Sequence, residues 1–194
     1  ASTEFLADEE QGLSAAEKEE ILCDIYGSAD VPFTITKEIQ KEGRARARLE
    51  EALDLIPDEN KSAYLEARER VPHLVELESD PRRYLWSDGM DPWAAAKHLC
   101  AYWEKRKEIF GEKAFLPMTL DGKGALSLNC IELIKSGFFA ILPNDKKGRV
   151  CLLHNRFFLN ERLVSHGAED RIRCGFYVVS MMAEKEESQM HGYI

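Results

Sequence analysis

Long apolar runs are missing from this chain. The longest nonpolar stretch, CGFYVVSMMA at Cys174–Ala183, is about half of what a bilayer-spanning helix needs. The N-terminal ASTEFLADEEQ is acidic, where a secretory signal is basic and then apolar, so the sequence reads as cytoplasmic. Paired cysteines are missing too. Cys23, Cys100, Cys130, Cys151 and Cys174 are odd in number, widely spaced and without a CxxC pair, which argues against a disulfide framework or a zinc ribbon and for reduced thiols. HExxH, P-loop and GxSxG motifs do not occur.

Positive charge is scarce in the front of the chain. Residues 1–80 hold 9 Lys/Arg against 21 Asp/Glu (net -12), and residues 81–194 hold 17 against 14 (net +3). Phosphate neutralisation needs clustered Lys/Arg interleaved with aromatics, so this balance excludes nucleic acid as a partner. The weakly basic second half remains compatible with a peripheral approach to an anionic membrane surface, the alternative being an ordinary solvated face.

What is present is a succession of helix signals. Ser14 to Glu17 fits a capping box ahead of the narrow apolar face Ile21, Leu22 and Ile25. From about Thr36 to Leu55, Ile39, Leu49, Ala52, Leu53 and Ile56 recur at helical spacing and Pro57 closes the run. Arg44, Arg46 and Arg48 alternate within it and point in different directions on a helix, which favours a solvated face over a phosphate site. A helix over about 59–70 presents Tyr64, Leu65 and Ala67 and stops at Val71-Pro72. Asp80-Pro81 and Asp91-Pro92 each place a capping carboxylate before a proline at the first helical position. The second opens DPWAAAKHLCAYWEKRKEIFG, whose Trp93, Ala96, Cys100, Trp103 and Phe110 predict a core-facing helix ended by Gly111.

Gly122-x-Gly124 lacks the third glycine of a dinucleotide loop, because Ser127 stands there, so a turn is expected and no cofactor is implied. A short helix carrying Cys130, Ile131, Leu133 and Ile134 follows. GFFAILPNDKKGRVCLL then reads as two strands about a charged turn. VCLL is apolar on both faces, which predicts a strand covered on both sides as in a parallel sheet, not a half-solvated hairpin. Residues from Glu169 to about Lys185 form a helix apolar nearly all round, and Gly192-Tyr193-Ile194 has the character of a second strand's start. The expected fold class is α/β: an N-terminal helical domain, then the beginning of a lobe with a mixed sheet flanked by helices, the chain being mostly helical.

His166, Asp170 and Cys174 fall at i, i+4 and i+8, the spacing of a nucleophile or metal site on one helix. Gly167 interrupts that spacing, and a thiol inside CGFYVV is protonated and inert. His73, His98, His154 and His191 stand apart from other ligands. No catalytic residue and no metal site is expected, and the chain reads as a non-enzyme.

The order of these parts, with the aspartate-led helix at Asp91, the basic segment Trp103–Lys107, the Pro-x-Asp-x-x-Gly-Arg turn at Pro143–Arg149 and the helix RIRCGFYVVSMMA, resembles the opening of a CRAL-TRIO lipid-binding domain. The resemblance implies an acidic N-terminal helical region over 1–137, with the family's N-terminal helices at about 58–111, and the start of the lipid-binding lobe over 138–194. It implies binding and intermembrane exchange of a single hydrophobic lipid, phosphoinositide-, tocopherol- or retinoid-like, by the complete protein. It places the family's pocket floor and gate helix beyond Ile194. The candidate cavity wall is Phe157, Phe158, Val178, Met181 and Met182, which otherwise are ordinary core. The candidate membrane-facing residues are Arg82, Arg83, Lys146 and Lys147. The chain departs from the family at Trp86, which stands where members carry an arginine that in some contacts a phosphoinositide headgroup. A non-enzymatic adaptor that binds a protein partner through the helical front is the competing expectation.

Overall fold

A computed structural model describes residues 33–155, 167–185, 188, 189, 192 and 194. Residues 1–44 and 45–194 form two compact units. The element order is α1 (Phe33–Leu55), α2 (Ser62–Arg70), α3 (Pro72–Glu78), α4 (Pro81–Ser87), α5 (Pro92–Phe110), α6 (Leu128–Lys135), β1 (Phe139–Leu142), β2 (Cys151–His154) and α7 (Ala168–Ala183), with 3-10 turns at Asp58–Asn60 and Gly111–Phe115. The fold is mostly helical with a small sheet, as the composition of signals along the sequence predicts. The capping-box helix expected near Ser14 lies outside the described residues.

Local chemistry explains the helix ends. Asp80 accepts from the Arg82 amide at 2.9 Å, and Asp91 from the Trp93 and Ala94 amides at 2.9 and 3.2 Å, each one position before a proline. At the far end of α5, Gly111 takes φ 57, a left-handed conformation costly for any residue with a Cβ. The last carbonyls of α1 find an unexpected partner: the buried Lys61 ammonium donates to Leu53 O at 2.8 Å and to Asp54 O at 3.2 Å. Arg44, Arg46 and Arg48 are exposed, as a solvated face requires.

In the second unit, one core gathers the C-terminal half of α1 and α2 to α5 around the fully buried Trp103. Its indole donates to Ser79 Oγ at 3.0 Å, and that hydroxyl in turn donates to Val75 O at 2.8 Å. Arg106, one turn further along α5, is also fully buried. It donates to Ala114 O (2.7 Å), Leu116 O (2.8 Å), Tyr102 Oη (2.9 Å) and Glu78 Oε2 (2.5 Å). A buried guanidinium is tolerable only when its donors are met in this way. Two positions depart from the sequence pattern: Trp93 is 47% exposed and Leu65 is exposed as well.

Smaller clusters join α6, the hairpin and α7. Leu133, Phe138 and Cys174 form one, and Val150, Val178 and Met182 another, with Phe139 and Leu152 against them. The two glycines before α6 form a turn: a Cβ on Gly124 would meet Pro117 O at 2.0 Å, so the close approach admits no side chain. Ser127 caps α6, accepting from the Cys130 amide at 3.1 Å.

The expectation of a parallel sheet covered on both faces is corrected by the strand pairing. β1 and β2 are antiparallel, with Phe139 opposite His154 and Leu142 opposite Cys151. The connection is too short for a parallel crossover, and Asp145 folds it back by accepting from the Lys147 and Arg149 amides at 2.9 Å and pairing with the Arg149 guanidinium at 2.6 Å. α7 covers the face of Phe139 and Leu152. On the other face, Leu142 and Leu153 are 40% and 42% exposed. Beyond the hairpin, the Ile194 amide donates to Val150 O at 3.0 Å and its carbonyl accepts from Leu152 N at 2.7 Å. That pair of bonds straddles Cys151 in the parallel sense, so β2 takes antiparallel bonds from β1 and parallel ones from Ile194.

Candidate functional site: an apolar groove beside α7

α7 carries two apolar rows at helical spacing. Cys174, Val178 and Met182 turn toward the sheet and α6 and are buried. Ile172, Phe176, Val179 and Ala183 fall about a third of the way round the helix, and they border a groove of about 490 Å3.

The opposite wall comes from α4 and α5. Tyr84, held by the N-capped turn of α4, and His98 and Tyr102, one turn apart on α5, border the groove together with Ile109. The floor is aromatic: the Phe176 ring lies 5.5 Å from both Tyr102 and Phe110, and His98 packs edge-on against Tyr84 at 5.2 Å. Arg173 anchors this side of α7 by donating to Ile109 O at 3.0 Å.

The polar atoms at the groove are few and mostly engaged. Glu78 receives Arg106 at 2.5 Å and the Met118 amide at 2.9 Å. Arg83 pairs with Glu184 at 3.6 Å and donates to Leu77 O at 3.3 Å. His98 meets Asp88 at 3.1 Å. Burial raises the Tyr84 phenol well above its usual range and raises the Tyr102 phenol too, the nearby Arg106 opposing the latter. Both phenols are neutral walls at physiological pH.

Of the candidate wall residues of the sequence reading, the described Val178, Met181 and Met182 do not border this groove. Val178 and Met182 are buried against Val150, Phe139 and Leu152, and Met181 is partly exposed on neither row. Phe157 and Phe158 lie outside the described residues. Of the basic candidates, Arg83 borders the groove, Arg82 pairs with Asp80 at 2.6 Å, and Lys146 and Lys147 are exposed at the hairpin turn. Tyr84, Tyr102 and Phe176 were not foreseen as wall residues. The available signal was the all-round apolar character of α7, which calls for a covering on each face.

Two of the three residues at nucleophile spacing, Asp170 and Cys174, are described. Cys174 is buried, and burial pushes its thiol up to about 12; Cys100 is pushed up to about 11 by the same cause. Asp170 accepts from Ser127 Oγ at 3.0 Å and Asn129 Nδ2 at 3.2 Å, and so ties the cap of α6 to the first turn of α7. Burial alone would raise its pKa, but the hydrogen bonds from Asn129, Ser127 and Cys130, with the charge of Arg173, outweigh burial and hold it below the usual carboxylate value. His166 lies outside the described residues. Among the described residues, no His, Cys, Asp and Glu side chains cluster as a metal site, and no helix is long and apolar enough to cross a membrane. A second concavity of about 550 Å3 lies beside the end of α1, bordered by Leu55, which is 70% exposed, and Trp93.

Comparison with protein-family models, with curated proteins and with solved structures gives no match for this chain.

Proposed function

We propose that this protein binds a single hydrophobic, lipid-like ligand in the groove between α4, α5 and α7, and releases it at a membrane surface. One observation carries the reading: a groove of about 490 Å3, walled by Tyr84, Tyr102, Ile109, Ile172, Phe176 and Val179, on a helix whose other apolar row is already satisfied by protein. That volume falls within the range of about 300–1,000 Å3 typical of small-molecule sites. The energetics favour a long apolar ligand. Each buried methylene contributes about 0.8 kcal/mol, so about a dozen contribute about 10 kcal/mol. This is of the same order as the association cost of about 4–15 kcal/mol, which leaves the reversible affinity that exchange needs. Lys146 and Lys147 at the hairpin turn supply positive charge for contact with an anionic leaflet. The CRAL-TRIO resemblance of the sequence points to the same function.

The adaptor reading has its own observation, the concavity at Leu55 and Trp93, whose exposed apolar side chains suit a protein partner. Native mass spectrometry of the chain purified from cells, followed by organic extraction, separates the two. A lipid bound at one copy per chain is the expected result. An empty, stably folded chain that also takes up no lipid from vesicles would sink the lipid reading and promote the adaptor.

A further inference from the structure

The lipid reading says nothing about the ligand's headgroup, but the charges around the groove do. Besides the two neutral phenols, the acidic and basic side chains bordering it among the described residues are Glu78, Arg83 and His98, and each already has a partner within the protein. Glu78 receives Arg106 and the Met118 amide. Arg83 is shared between Glu184 and Leu77 O, and His98 sits on Asp88. Arg106, the other cation close by, is fully buried and spends its Nε and both terminal nitrogens on four protein acceptors. A carboxylate or phosphate entering this groove would lose its hydration, meet the Glu78 carboxylate, and find no uncommitted cation among the described residues that border it.

What the groove keeps unspent is neutral. Ser188 borders it and is 8% exposed, and its Oγ is the one buried side-chain polar atom without a hydrogen-bond partner among the described residues. An orphaned hydroxyl in an apolar setting is costly until a partner arrives. A ligand hydroxyl both donates and accepts, so it satisfies Ser188 without bringing a charge into the groove.

We infer that the ligand is an uncharged lipid bearing a hydroxyl, held by its apolar body against α5 and α7 and by its hydroxyl near Ser188, and not a fatty-acid anion or a phosphate-headed lipid. This inference rests on the lipid-binding reading above. On this inference the buried Ser188 hydroxyl turns toward the ligand, and the pairing of Arg83 with Glu184 at 3.6 Å keeps that cation engaged with protein.

The test titrates the 194-residue chain with two ligands of equal chain length, dodecan-1-ol and dodecanoate, near neutral pH. The alcohol is expected to bind more tightly by about tenfold or more, the scale of one well-made polar contact. Ser188→Ala should weaken the alcohol by about tenfold and leave dodecanoate unchanged. Glu184→Gln, which frees Arg83 to meet an anion, should strengthen dodecanoate by about tenfold and leave the alcohol unchanged. Equal or tighter binding of dodecanoate by the unaltered chain overturns the headgroup inference while the lipid reading stands. So does an alcohol preference that neither substitution changes. If neither ligand binds, both readings fall.

Discussion

The two apolar rows of α7 share one helix, yet they meet different surroundings. Cys174, Val178 and Met182 are sealed against Leu133, Phe138 and Val150, and burial keeps the Cys174 thiol protonated. Ile172 and Val179 stay half open beside Phe176, over a groove with aromatic walls and few spare polar atoms. Apolar residues on every side of a helix show that each face needs covering. They do not show whether the cover is protein or ligand. Here the row facing the sheet is completed by the fold, and the row facing α4 and α5 leaves room for a molecule.

The comparison can be broken by placing the same charge on each row. Met182→Asp puts a carboxylate where no water and no partner reach, and should cost about 4 kcal/mol or more, enough to unfold a marginal domain, as urea denaturation would record. Val179→Asp adds the same group on the groove row, where the side chain is 38% exposed; stability should change by about 0.5 kcal/mol or less while lipid binding is lost. Similar stability losses in the two variants would erase the distinction between the rows.

A smaller effect sharpens the comparison at the start of α7. Asp170→Ala removes the tie to Ser127 and Asn129 and should cost about 1 kcal/mol at neutral pH. The sign with pH follows from the depressed carboxyl. Its stabilisation is complete above the ordinary carboxylate pKa of about 4 and fades as pH falls through the lower folded value, so the variant and the unaltered chain should converge in acid. A stability difference that persists unchanged below that range would mean that Asp170 acts through packing and not through its charge.

Much of the helical part could be read from the letters because caps are local. Asp91-Pro92 and Gly111 mark the ends of α5 through contacts within a few residues, and Trp103 and Cys100 follow from its period. Trp93 obeys the same period and is exposed, because periodicity assigns a face and not a neighbour. Lys61 and Arg106 could not have been placed inside, since the groups that satisfy them are mostly backbone carbonyls that any sequence offers. The hairpin was legible as two runs and a turn, but its pairing was misread. VCLL is apolar on both faces, yet one of those faces stays partly open, with Leu153 42% exposed. The groove joins Tyr84 and Tyr102 to Phe176, residues far apart in the chain, and a lone pattern on α7 could not say which other helix would face it.

Photo-labelling tests the central claim most directly. A diazirine-bearing long-chain alcohol is irradiated with the folded chain and the labelled peptides are sequenced. The account predicts label on α4, α5 and α7 at the groove, around Tyr84, Tyr102, Phe176 and Val179, with competition by unlabelled alcohol. Label confined to the surface at Leu55 and Trp93, or spread without competition, would contradict it.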